Sequence, residues 1–185
     1  GSCRLCLVEV TRNNRTMMVT SCTYPVMEGI VVWTDTPEIK RARRLVMELL
    51  LPLAPGAPKI KALASELGVT GTRFKPDDDN CIKCGLCVRA CDELVGAHAL
   101  TFAQRGVTRT VEPPFKEEAE NCIGCGTCVQ VCPTRCISME DRGMERKIDK
   151  WKRTLKMKAC TKCGRPFISL AEITFIQSKA KNPPP

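Results

Sequence analysis

The chain has 185 residues, a formal charge of +9 and only 4 % aromatic residues. That length allows one or two domains, and so few rings argue against a base-stacking surface for nucleic acid. No apolar run approaches the roughly 18 residues of a membrane helix, since Pro52 breaks the longest patch, Leu49–Leu53.

Residues 1–36 hold Cys3, Cys6 and Cys22 among β-rich pieces, Leu7–Val10, Met17–Thr20 and Ile30–Thr34. Asn13-Asn14 and Glu28-Gly29 mark turns between them. Residues 37–72 carry no cysteine and read as helical. Thr36-Pro37-Glu38 offers an N-cap hydroxyl, a proline at the first position and an acid at the positive end of the dipole. Ile39, Ala42, Val46, Leu49 and Leu50 recur at helical spacing, and Leu51-Pro52 ends the run. A second short helix is expected over Ile60–Leu67, with Gly68 as its C′ residue. Residues 73–140 hold the densest cysteine pattern. Residues 141–185 are a basic stretch, a lone C-x-x-C and a tail of three prolines that reads as a linker.

Fourteen cysteines far exceed what packing needs. Most come in tight x2 spacings, which local disulfides cannot all satisfy and metal can. Gly1–Glu9 holds no apolar segment of a secretory leader, so the chain reads as reduced and cytoplasmic. One repeat dominates. Cys81-Ile82-Lys83-Cys84-Gly85-Leu86-Cys87-Val88-Arg89-Ala90-Cys91 matches Cys122-Ile123-Gly124-Cys125-Gly126-Thr127-Cys128-Val129-Gln130-Val131-Cys132. Both read C-x2-C-x2-C-x3-C, and Pro133 follows the second. A cubane needs one thiolate at each of four irons, and a tight loop supplies three. In two-cluster ferredoxins the fourth cysteine of each run serves the other cluster. The expected ligand sets are therefore Cys81, Cys84, Cys87 and Cys132 for one [4Fe–4S] cluster, and Cys122, Cys125, Cys128 and Cys91 for the other. Gly85 and Gly126 allow close backbone approach to the sulfurs. Cys91 and Cys132 are expected on the short helices after each loop. Zinc would use two separated C-x2-C pairs and leaves two identical runs unexplained.

Cys3, Cys6 and Cys22 fit three ligands of a plant-type [2Fe–2S] site, a short cysteine loop with a distant closing cysteine in a β-rich fold. The fourth ligand is expected outside the chain. Cluster thiolates also bear on the charge. An oxidised [4Fe–4S] core with its four thiolates carries about −2, so two clusters lower the net charge to roughly +5.

The stretch Cys3–Val10, with Cys22 and Pro25–Gly29, resembles an N-terminal iron–sulfur module. That module is shared by the large iron–sulfur subunit of complex I, [FeFe]-hydrogenases, NAD-linked formate dehydrogenases and the diaphorase small subunit of NAD-reducing hydrogenases. The resemblance continues through Cys81–Leu94 and Cys122–Thr134, over about residues 1–140. It implies a [2Fe–2S] domain feeding a two-cluster ferredoxin domain, which connects a flavin- and NAD(H)-binding subunit to a catalytic redox subunit in a hetero-oligomeric complex. Several relatives add a His-plus-three-Cys site between the two domains. Residues 23–80 here contain neither Cys nor His, which shifts the likeness toward formate-dehydrogenase-like or stand-alone electron-transfer subunits.

The expected fold is α+β. Residues 1–36 form a partial plant-type [2Fe–2S] ferredoxin β-domain, 37–72 a helical linker, 73–140 a two-cluster bacterial-ferredoxin-like domain and 141–185 a basic extension. Cys160 and Cys163 look like half of a zinc or further cluster site that needs two more ligands. Cys136 reads as an apolar filler, His98 as a surface or packing residue, and Trp33 and Trp151 as packing or interface anchors. Arg142, Arg146, Lys147, Lys150, Lys152, Arg153, Lys156 and Lys158 read as a solvated helix face, or else as a docking surface for an acidic partner. No Gly-rich dinucleotide fingerprint is present, so flavin and NAD(H) belong on another chain. The functional expectation is a one-electron relay with no catalytic centre of its own; the same residues also suit the N-terminal module of a longer oxidoreductase. A zinc-dependent nucleic-acid-binding protein is the rival from another class.

Overall fold

The computed structural model describes residues 1–180, which divide into two compact units, Gly1–Cys84 and a second beginning at Gly85. The proline tail read as a linker, residues 183–185, lies outside the described residues.

In the first unit β1 (Leu7–Arg12) and β2 (Arg15–Thr20) form an antiparallel hairpin. Asn13 and Asn14 close it at φ 49° and 59°, the left-handed pair that matches strand twist. β3 (Val31–Trp33) pairs with the other edge of β1, giving the order β2-β1-β3. Val8 and Val10 alternate inward along β1 and are buried. α1 (Pro37–Leu50) starts as the sequence leads one to expect, with the Thr36 hydroxyl accepting from the Ile39 N–H at 3.3 Å. Its buried residues are Ile39, Met47 and Leu50. Leu49, expected inward, is exposed. Two positions from Met47 it stands about 200° round the helix. Pro52 ends α1 in a short 3₁₀ turn, Leu51–Leu53.

α2 (Pro58–Glu66) begins two residues before the expected start, because Pro58 suits a first helical position. Its end is a Schellman motif: Gly68 N–H donates to Ser65 O at 3.0 Å and Val69 N–H to Ala64 O at 2.8 Å, with Gly68 at φ 70°. Met47, Leu50, Ala54, Ala57, Ile60 and Ala64 make this unit's core.

The second unit opens with α3 (Leu86–Arg89), which runs into a π turn, Ala90–Val95. β4 (Thr101–Ala103) and β5 (Thr110–Glu112) form a hairpin, and α4 (Thr127–Val131) follows the second cysteine loop. An antiparallel sheet comes next: β6 (Glu140–Arg142), β7 (Glu145–Ile148), β8 (Arg153–Ala159) and β9 (Pro166–Ser169), in sequential order. α5 (Leu170–Lys179) leaves β9 directly, capped by the Ser169 hydroxyl, which accepts from Glu172 N–H at 3.0 Å.

The basic stretch is therefore strand rather than helix. Arg146 and Ile148 on β7, and Leu155 and Met157 on β8, point inward with a period of two. Charged outward residues at every other position conceal that alternation in composition. Ala99, Leu100, Val111, Ala119, Ile137, Ile148 and Trp151 form the core of this unit, together with Cys87 and Cys128. No helix among the described residues is long and apolar enough to cross a membrane.

Candidate metal centre

The second cysteine loop turns through Gly124 at φ 75° and Gly126 at φ 76°. Side chains are excluded at both. A Cβ on Gly124 would run into Leu155, and one on Gly126 would lie 2.9 Å from Met139 Cε. The loop thus brings Cys122, Cys125 and Cys128 to one cavity, and the π turn adds Cys91. The remaining wall is largely apolar, including Val95, Leu100, Ile148 and Trp151.

Three donors reach the sulfurs. Ala99 N–H donates to Cys91 Sγ at 3.3 Å, Trp151 Nε1–H donates to Cys128 Sγ at 3.4 Å, and the Thr127 hydroxyl stands 3.3 Å from Cys125 Sγ. Burial pushes the Cys91 and Cys128 thiols up, and pushes Cys122 to about 11, with neighbouring thiolates adding to each rise. Such thiolates need a cationic partner to form at neutral pH. Four thiols around one largely apolar cavity match the four corner irons of a cubane. The donor set and the dry wall therefore fit a [4Fe–4S] cluster.

The loop is gripped from the sheet, a feature with no counterpart among the motifs of the sequence. Arg146 Nη1 donates to Gly124 O at 2.7 Å while Nε and Nη2 bind the Asp141 carboxylate at 2.7 and 2.8 Å. The Arg146 hydrogen bonds hold the Asp141 carboxyl below its usual range. Arg153 Nε donates to Cys122 O at 3.2 Å and its Nη1 to Glu118 at 2.6 Å. The Ser169 hydroxyl donates to Ile123 O. Two of the residues read as a docking surface are thus committed to the loop. On the outer side Lys147 lies opposite Glu140 and Lys156 opposite Glu145, so the surface is mixed in sign. The available signal was the two-residue alternation in β7 and β8.

Of the first set, Cys81 and Cys84 end the first unit, and Cys87 and Cys132 belong to the second. Asn80 accepts from Gly56 N–H at 2.7 Å, and Lys83 pairs with Asp77 at 3.3 Å. Gly85 is at φ 75°, with Phe102 packed where its Cβ would be. Cys91 lies within the π turn, as a helical expectation requires, whereas Cys132 is extended and caps α4. Its Sγ is 3.7 Å from Cys136 Sγ. The Cys136 hydrogen bond, then burial, pushes the Cys132 thiol up to about 12.

Cys3 and Cys6 are half-buried and Cys22 is exposed. Ser21 N–H donates to Cys6 O at 3.0 Å. Partial burial raises the Cys6 thiol, but hydrogen bonds from Cys22 and Ser21 outweigh it and hold the group below its ordinary value. Cys160 and Cys163 occupy the β8–β9 turn, where Cys160 N–H donates to Arg165 O and Gly164 N–H to Cys160 O, both at 2.8 Å. Hydrogen bonding from Arg165 and Cys160 lowers the exposed Cys163 thiol. His98 is exposed, paired through Nδ1 with the Asp92 carboxylate.

A cavity edged by thiols, glycine-turned loops and a β-rich cysteine hairpin define an iron–sulfur protein. The 2Fe-2S iron-sulfur cluster binding domain matches residues 1–37, and 4Fe-4S dicluster domains match residues 75–139 and 121–166. The chain is similar to members of the family that its motifs resemble. It is 31 % identical over 131 residues to an NADH-quinone oxidoreductase subunit of Rickettsia prowazekii, covering 57 % of this chain and 19 % of that protein. It is 32 % identical over 140 residues to the HndD subunit of an NADP-reducing hydrogenase of Solidesulfovibrio fructosivorans, covering 62 % and 24 %. A chain of an NAD+-reducing [NiFe]-hydrogenase in its H2-reduced state superposes with a TM-score of 0.60 at 29 % identity, covering 72 % of this chain and 67 % of that one. The chain spans about a fifth of the length of the Rickettsia relative.

Proposed function

We propose that the chain relays single electrons between a flavin- and NAD(H)-linked partner and a second redox enzyme such as a hydrogenase or formate dehydrogenase. When bound, the clusters supply the one-electron oxidation and reduction. The chain's own residues fix the thiolates, exclude water and aim N–H groups at sulfur. The observation that carries this reading is the cavity lined by Cys91, Cys122, Cys125 and Cys128. We take those four as ligands of one [4Fe–4S] cluster, and Cys81, Cys84, Cys87 and Cys132 as ligands of the other. Cys3, Cys6 and Cys22 hold a [2Fe–2S] cluster whose fourth thiolate comes from outside residues 1–185. Cys160 and Cys163 supply half of a zinc or further cluster site.

Residues 1–36, 37–72, 73–140 and 141–185 then act as [2Fe–2S] domain, linker, dicluster domain and extension. The relatives named as subunits of an NADH-quinone oxidoreductase and an NADP-reducing hydrogenase support the nicotinamide side. Fourteen cysteines, all free thiols, support a reducing compartment, the cytoplasm. A second reading, a module within a longer oxidoreductase chain, is favoured by the small share of each curated relative that is matched.

The test is anaerobic purification with analysis of iron, sulfide and zinc, then EPR after dithionite reduction. About eight irons with interacting [4Fe–4S] signals support the relay, and about two more support the [2Fe–2S] site. A colourless zinc protein whose nucleic-acid binding weakens steeply with salt overturns it.

A further inference from the structure

Trp151 is the largest fully buried side chain among the described residues, 1 % exposed. It ends a 3₁₀ turn, Asp149–Trp151, between β7 and β8. Two backbone contacts fix that turn: Ala119 N–H donates to Trp151 O at 3.2 Å, and Lys152 N–H donates to Asp149 O at 2.9 Å, with Lys152 at φ 51°. The indole ring walls the cavity, and its N–H is directed at Cys128 Sγ, 3.4 Å away. A buried indole N–H needs an acceptor, and here the acceptor is a cysteine of the loop. The same sheet holds that loop by three carbonyls in a row, Cys122 through Arg153, Ile123 through Ser169 and Gly124 through Arg146.

We infer that Trp151 is a positioning residue that sets the reduction potential at Cys91, Cys122, Cys125 and Cys128. This rests on the reading that those four hold a [4Fe–4S] cluster. Reduction adds one electron, and the extra negative charge spreads onto the sulfurs. An N–H dipole already aimed at Cys128 Sγ stabilises the more negative state more, so it raises the midpoint potential. The cavity wall around it is largely apolar, which strengthens that dipole's effect. The carbonyl grip keeps the sulfur from moving away from it. The two arginines add less charge than their number suggests, since Arg146 is paired with Asp141 and Arg153 with Glu118. Trp151 is thus a neutral, buried donor whose removal changes the hydrogen bond and leaves the ion pairs intact.

The experiment is Trp151→Phe, which keeps a buried ring and removes the N–H. Iron content and EPR intensity are measured first, then the midpoint by EPR-monitored redox titration. The expected result is wild-type iron with one [4Fe–4S] midpoint moved to more negative potential. Wild-type iron with both midpoints unmoved overturns the inference and leaves the cluster reading intact, as a packing role for the ring predicts. The cluster reading is tested separately by Cys125→Ser: unchanged iron in that variant sinks it. Should Trp151→Phe lose its iron, electron–nuclear double resonance on the reduced wild-type protein decides. With nitrogen-15 placed only in the indole rings, a coupled nitrogen-15 at the cluster upholds the hydrogen bond, and no coupling overturns it.

Discussion

In the second unit the loop Cys122–Cys128 is largely buried, its Cys122 and Cys128 thiols are pushed up, and one sheet binds its backbone at three consecutive carbonyls. In the first unit Cys3, Cys6 and Cys22 stand at the end of a β-hairpin with Cys22 exposed and the Cys6 thiol held down. Both places carry x2-spaced cysteines, yet their physical demands are opposite. A thiol whose pKa is raised by burial costs free energy to ionise, so metal and fold must assemble together. A thiol with depressed pKa at the surface is ionised more readily and can receive metal after folding. The loop of the second unit is held by its own fold, whereas the cysteines of the first stand at the open end of a hairpin with Cys22 exposed.

The largest break in this comparison is ligand removal. Cys125→Ser is expected to lose about four irons per chain and much of the second unit's cooperative unfolding. Cys6→Ser is expected to remove about two irons where the [2Fe–2S] site assembles, and to leave the dicluster EPR signal as it was. Iron analysis with thermal melts separates the two. Equal loss of structure in both variants would erase the contrast.

Next come the arginines. Arg146→Ala strips both Asp141 and Gly124 O of their partner, within a site where the Arg146 side chain is only 10 % exposed. Breaking such a pair costs about 3 kcal/mol, less where Asp141 still meets solvent. Arg43 in the first unit makes one comparable bond, Nη2 to Leu7 O at 2.6 Å. Arg43→Ala is expected to cost only about 1 kcal/mol. Urea unfolding of the two variants measures the difference.

Serine and threonine caps sharpen it further. Ser169 both caps α5 and donates to Ile123 O, so Ser169→Ala loses two functions and about 2 kcal/mol. Thr36 only caps α1, and Thr36→Ala is expected to cost about 1 kcal/mol with no change in cluster EPR.

These contrasts track what was legible beforehand. Local chemistry was readable wherever one residue type dictates the backbone: Asn13-Asn14 for the hairpin, Thr36-Pro37 for the start of α1 and Gly68 for the end of α2. The cysteine runs were readable because few alternatives satisfy eight thiols at that spacing. The grip of Arg146, Arg153, Trp151 and Ser169 was not. Those residues lie 22 to 46 positions from the groups they bind in the loop, and Arg146 looks like any surface cation until Gly124 O and Asp141 face it. Leu49 was placed inward and Met47 lies there instead for a simpler reason: both are apolar, and only the packed face of α1 selects between them.

The smallest effect concerns the approach to the first cysteine run. Asp77 accepts from Asp79 N–H at 3.2 Å and pairs with Lys83 at 3.3 Å. The Asp79 N–H, and then Lys83, hold its carboxyl below the usual range. The folded pKa is lower than the unfolded one, so ionised Asp77 stabilises the fold above pH ~3.9. That contribution fades as pH falls through the depressed folded value. Asp77→Asn is therefore expected to cost under about 1 kcal/mol at neutral pH. The same gap should persist at pH 5, where the native carboxyl is still charged, and close only in stronger acid. Trp33 is the first unit's only tryptophan, so its fluorescence in a Trp151→Phe background reports this unit's urea unfolding without the other. A gap that already shrinks between pH 7 and pH 5 would mean that Lys83 and the Asp79 N–H do not hold the carboxyl, and that the run from Cys81 is tethered through Asn80 and Gly56 instead.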